Sequence, residues 1–69
     1  MTRAEGTDEA HLWILNDETL YRTTHDHDGR YIVRSARTLR DWVGDSIPDV
    51  PPSRVDWTAL HAELLSGNQ

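Results

Sequence analysis

The stretch Thr24-His25-Asp26-His27-Asp28-Gly29-Arg30 gathers two imidazoles and two carboxylates beside a glycine, the residue types that ligate metals. Aligned on Gly29, residues 24–35 have the outline of a calcium loop, with Asp26 and Asp28 at its third and fifth positions. The ends do not comply. Thr24 stands where a carboxylate is needed and Ser35 where a bidentate glutamate closes the coordination sphere. Zinc fares no better. His25 and His27 point the same way only in extended backbone, and no third ligand is near in sequence. The chain has no cysteine, which removes thiolate sites and disulfides. The expectation is a solvated turn that binds no metal, because Asp and Gly populate turns for backbone reasons.

No catalytic constellation accompanies it. There is no nucleophile motif and no glycine-rich phosphate loop, and Asp17 and Glu18 are sequence neighbours whose side chains diverge on a helix. A chain of 69 residues also has little volume in which to enclose a ligand. The expected protein is not an enzyme and carries no cofactor.

Three segments have helical periodicity. Thr7 offers an N-cap with Asp8 and Glu9 in the first turn, and Ala10, Trp13, Ile14, Leu20 and Tyr21 then recur on one side, which predicts a helix over 8–24. Asp17 interrupts that stripe. Either the helix is continuous, or Asn16-Asp17-Glu18 begins a new, shorter one. Ser35 caps a second helix over 36–46 with Ala36, Leu39, Trp42 and Val43 inward; Gly44 can end it early in a left-handed conformation. Pro48, Pro51 and Pro52 make the following connector stiff. Asp56 caps a third helix over 57–66, with Val55 and Leu60 at hydrophobic-staple positions, Trp57, Leu60, His61 and Leu64 inward, and Gly67 as terminator. Tyr31, Ile32 and Val33 favour a short extended segment near 30–33, and a hairpin of residues 19–24 with 30–34 is the alternative. The expected fold is all-α: one compact three-helix domain spanning residues 1–69, with a polar tail at 1–6 and the three tryptophans clustered at its centre.

Two surfaces could bind a macromolecule. Leu12 and Leu15 fall opposite the apolar stripe of the first helix, and Asn16, Asp17, Glu18 and Tyr21 adjoin them, which marks a protein-binding face. Arg34, Arg37 and Arg40 on the second helix resemble a DNA-reading helix. The net charge of −5 opposes phosphate contact, and no short bracing helix with a tight turn precedes that segment.

The segments "LNDETLYR", residues 15–22, and "ARTLRDWV", residues 36–43, resemble small uncharacterised proteins of phages infecting actinobacteria. That resemblance implies a phage origin and no particular activity, and it draws attention to Asn16, Asp17 and Glu18. The combined expectation is a non-enzymatic interaction module, a phage-encoded modulator of a host protein. A small DNA-binding regulator and a domain that self-associates through Leu12 and Leu15 are the alternatives. The N-terminal MTRAEGTDEA has no apolar run, so no signal peptide or membrane association is expected and the cytoplasm, that of the host, is the expected location.

Overall fold

Asp17 decides the shape of the first third of the molecule. Its backbone is extended (φ −91°, ψ 122°), and its Oδ1 accepts from the amides of Thr19 at 3.0 Å and Leu20 at 3.1 Å. A helix cannot run through such a residue; one ends there and another starts. In the computed structural model, which describes residues 6–66, the elements are α1 (Thr7–Asn16), α2 (Glu18–Thr24), α3 (Ala36–Val43), a 3₁₀ turn (Pro52–Arg54) and α4 (Trp57–Ser66). The continuous helix over 8–24 is therefore corrected to two, and the three-helix domain to four. The polar residue inside the apolar stripe is the cap of the second segment.

The described residues contain no strand. His25 and Tyr31 form one isolated antiparallel bridge, so neither the hairpin nor a longer extended segment is present. The radius of gyration is 10.8 Å, close to the roughly 11 Å of a compact chain of this length. α3 and α4 form one packed pair, α1 and α2 the other.

The core holds Ala10 and Ile14 of α1, Leu20 of α2, Leu39 and Val43 of α3, and Trp57, Leu60 and Leu64 of α4. Val33 from the loop before α3 and Ile47, Val50 and Val55 from the proline-rich connector complete it, so the connector is part of the core as well as a spacer. So small a domain has few helical residues to bury, and the loops must contribute apolar surface. The tryptophan cluster is not formed. Trp57 is buried and Trp13 partly so, but Trp42 is 46% exposed. On a helix Trp42 lies about 100° from Val43, on the flank of the buried Ala36–Leu39–Val43 side.

The helix starts follow local chemistry. Ser35 Oγ accepts from the Thr38 amide and Asp56 Oδ1 from the Ala59 amide, as capping residues do. Thr7 does not cap α1: it is the first helical residue, fully buried, and its hydroxyl accepts from the backbone N–H of Asp56 at 2.8 Å, tying the starts of α1 and α4 together. Gly6 belongs to the fold and not to a tail. It is buried, its N–H donates to the Arg54 carbonyl at 2.9 Å, and an added Cβ would meet Val50 Cγ1 at 2.8 Å. The rest of the expected tail, residues 1–5, and Gly67 lie outside the described residues. α3 stops at Val43, short of 46, and Gly44 is right-handed (φ −56°), so a run of turns and not a left-handed cap ends it. No described helix is long and apolar enough to cross a membrane.

Candidate functional site

The outer face of α1 is apolar and uncovered. Leu12 is 60% exposed and Leu15 46%. Three residues apart on one helix, they lie on the same side, about 160° and 100° from the buried Ile14. Beside them the Asn16 side-chain amide donates to the Leu12 carbonyl at 2.9 Å, closing the end of α1. Asp17 is fully occupied at the junction. Besides its two side-chain bonds, its N–H donates to the Trp13 carbonyl and its carbonyl accepts from the Tyr21 amide. Glu18 pairs with Arg22 at 2.6 Å on the exposed face of α2. The predicted residues are thus contiguous along the chain but unlike in condition: the two leucines are unpartnered, whereas Asn16, Asp17 and Glu18 have structural partners.

Tyr21 belongs to a different construction. Its ring stacks on His25, with centroids 4.1 Å apart and planes 4° from parallel. His25 meets Tyr31 edge-on at 5.4 Å, and Tyr31 meets His61 at 5.6 Å, with the Tyr31 hydroxyl 2.9 Å from His61 Nδ1. This Tyr–His–Tyr–His ladder links α2, the loop and α4. Periodicity could not reveal it, because Tyr31 and His61 are brought together only by the fold. Burial is the main influence on the His25 imidazole and holds its pKa below the ordinary histidine value; the Tyr21 carbonyl and Asp26 act in the other sense without overcoming it. Burial likewise pushes the Tyr31 phenol well above the usual range.

The His/Asp loop is a closed turn. Asp26 Oδ1 accepts from the amides of Asp28 and Arg30, both at 2.9 Å, and the Asp26 N–H donates to the Arg30 carbonyl. Gly29 supplies the left-handed residue (φ 84°) that the turn requires. The Arg30 amide, first, lowers the Asp26 carboxyl pKa. His27 and Asp28 are exposed, and His27 Nε2 is 3.7 Å from Asp28 Oδ1. No group of three or more His, Asp or Glu residues suited to a metal ion occurs among the described residues.

Arg37 and Arg40 lie on α3, whereas Arg34 precedes its cap Ser35 and is not on the helix; all three are exposed and have no ion-pair partner among the described residues. They do not form one strip with Trp42: Arg40 lies on one flank of the helix, Trp42 on the other, and Asp41 between them. The segment before α3 is an irregular loop rather than a bracing helix and tight turn. Comparison of the chain with protein-family models, with curated proteins and with solved structures gives no match.

Proposed function

We propose that the chain is a non-enzymatic protein-interaction module that docks through the outer face of α1, and that it is a phage-encoded modulator of a protein in a bacterial host. One observation carries this reading: Leu12 and Leu15 remain side by side in solvent although the core closes without them. Single exposed leucines are ordinary on protein surfaces, whereas an adjacent pair on one helix face is the kind of apolar patch that a partner covers. Asp17 sets the end of this face by breaking the helix, and Asn16 and Glu18 form its border. The phage origin rests on the resemblance of residues 15–22 and 36–43. The module acts in the host cytoplasm and uses neither cofactor nor metal.

The test is a photo-crosslinking residue placed at position 12 or 15 in cells of an actinobacterial host. A discrete cross-linked host protein is expected, and Leu12→Ser/Leu15→Ser introduced with the crosslinker at position 16 should abolish it without changing the melting temperature. Equal cross-linking with and without the leucines would refute the assignment.

A second reading has its own observation. Arg34, Arg37 and Arg40, which have no ion-pair partner among the described residues, favour phosphate contact, as in a small DNA-binding regulator. The net charge of −5 and the absence of a bracing helix weigh against it. Duplex binding at physiological salt that is lost in Arg37→Ala/Arg40→Ala would establish it.

A further inference from the structure

His25 is buried to all but 8% of its surface, yet one of its ring nitrogens has no partner within the described residues. Its Nδ1 lies 2.9 Å from Thr24 Oγ1, whose single proton is directed at the Leu20 carbonyl, 3.0 Å away. When the hydroxyl proton goes to a backbone carbonyl, Nδ1–H donates to Thr24 and Nε2 carries the lone pair. No buried side-chain nitrogen or oxygen among the described residues lacks a partner, so Nε2 is open to solvent. His25 also lines a hollow of about 690 Å³, together with Tyr21, Arg22, Asp26, His27 and Ile32. The hollow therefore brings the His25 imidazole beside an aromatic ring and an aliphatic side chain.

Its rim is basic. Arg30, Ile32 and Arg34 are exposed, while Val33 is buried and Tyr31 half-buried. Ile32 thus lies in sequence between two exposed arginines. Four of the seven arginines fall within residues 30–40, which contain no acid, so this stretch is +4 and the rest of the chain −9. None of the four has an ion-pair partner among the described residues. Asp26 also lines the hollow, but the loop amides already hold its carboxylate.

Trp42 has the complementary features. Its ring is 46% exposed, and its indole N–H has no acceptor among the described residues. Two exposed carboxylates frame it, Asp41 beside it and Asp45 one turn on.

We propose that the hollow receives Trp42 of a second copy of the chain, the indole N–H donating to His25 Nε2, the ring packing on Ile32 and Tyr21, and Asp41 and Asp45 facing Arg30 and Arg34. This surface is separate from the outer face of α1. A tryptophan can bury roughly 150–250 Å², and about half of Trp42 is already covered. Even two reciprocal insertions fall short of the roughly 1,200 Å² at the lower end of stable interfaces. The association is transient, with a dissociation constant on the order of 0.1–1 mM.

Sedimentation velocity from about 10 μM to about 2 mM at 0.15 M salt tests this. The wild-type chain should shift towards dimer as concentration rises. Trp42→Ala and Ile32→Glu, both at exposed positions, should each weaken association tenfold or more with unchanged circular dichroism. A 1:1 mixture of the two variants should regain mixed dimers, because one keeps the hollow and the other the indole. A wild-type chain monomeric throughout, association indifferent to both variants, or a mixture as weak as either variant alone would overturn the proposal. Leu12→Ser/Leu15→Ser is the control: association lost there and kept in Trp42→Ala assigns self-contact to α1 and rejects the hollow.

Discussion

The end of α3 and the start of α4 each carry a tryptophan, and the two rings have opposite fates. Trp57 is 9% exposed, and its Nε1–H donates to the Pro52 carbonyl at 2.9 Å, locking the 3₁₀ turn against α4. Trp42 is 46% exposed, and its indole N–H has no acceptor among the described residues. The difference comes from angular position and from what lies opposite. Trp57 shares its face with Leu60 and Leu64, and that face meets the core directly. Trp42 lies off the Leu39–Val43 direction, while Ile47 and Val50, which follow α3 in the chain, are buried in the core. An apolar side chain on an amphipathic helix is thus either core or contact surface according to a rotation of one residue.

The sharpest consequence is in stability. Trp57→Ala should cost about 3–5 kcal/mol, enough to unfold a domain whose total is about 5 kcal/mol, whereas Trp42→Ala should stay within about 0.5 kcal/mol of wild type. Paired urea melts check this, and equal losses would erase the distinction between the two rings. Next comes the buried bond between helix starts. Thr7→Val keeps the shape but leaves the Asp56 amide without its acceptor, so a loss of about 1–3 kcal/mol is expected in the same melts.

The same contrast of covered and uncovered groups holds at the α1–α2 corner. Asp17→Ala should cost about 1 kcal/mol by removing the cap of α2. Leu12→Ser/Leu15→Ser should leave the melting temperature nearly unchanged. A large loss in the leucine pair would show them to be core and would remove the proposed docking face.

The most gradual effect is the response to pH. His25 has a folded pKa below the unfolded value of about 6.5, so the unfolded chain binds the proton more readily. Its contribution to stability is complete above that pH and is lost as the pH falls from there towards the folded pKa. Asp26 acts in a separate window, its stabilisation present above about 3.8 and declining as pH falls further. Melts from pH 8 to 5 should therefore decline, and His25→Gln should flatten that decline while leaving the lower-pH response in place. A wild-type chain indifferent to pH from 8 to 5 would contradict the buried state of the imidazole.

Local chemistry was readable from the residues alone. Ser35 and Asp56 are followed by periodic apolar residues, and both cap as their types require, because a cap involves only the next three residues. The bounds of the last helix, 57–66, follow for the same reason. The sequence also showed that Asp17 was out of place in a stripe and admitted a new helix start; only the backbone at that residue chose between the two readings. Gly29 and Asp26 likewise announced a turn that closes on its own amides. The decisions left to the tertiary structure all concern partners distant in sequence. Tyr31 finds His61 thirty positions on, Thr7 finds Asp56, and Gly6 is buried against Val50 and Arg54. Which connector residues enter the core, and which tryptophan stays outside, depends on how four short helices share a small volume. Periodicity specifies the apolar side of each helix, but only packing determines how wide a part of that side finds something to cover it.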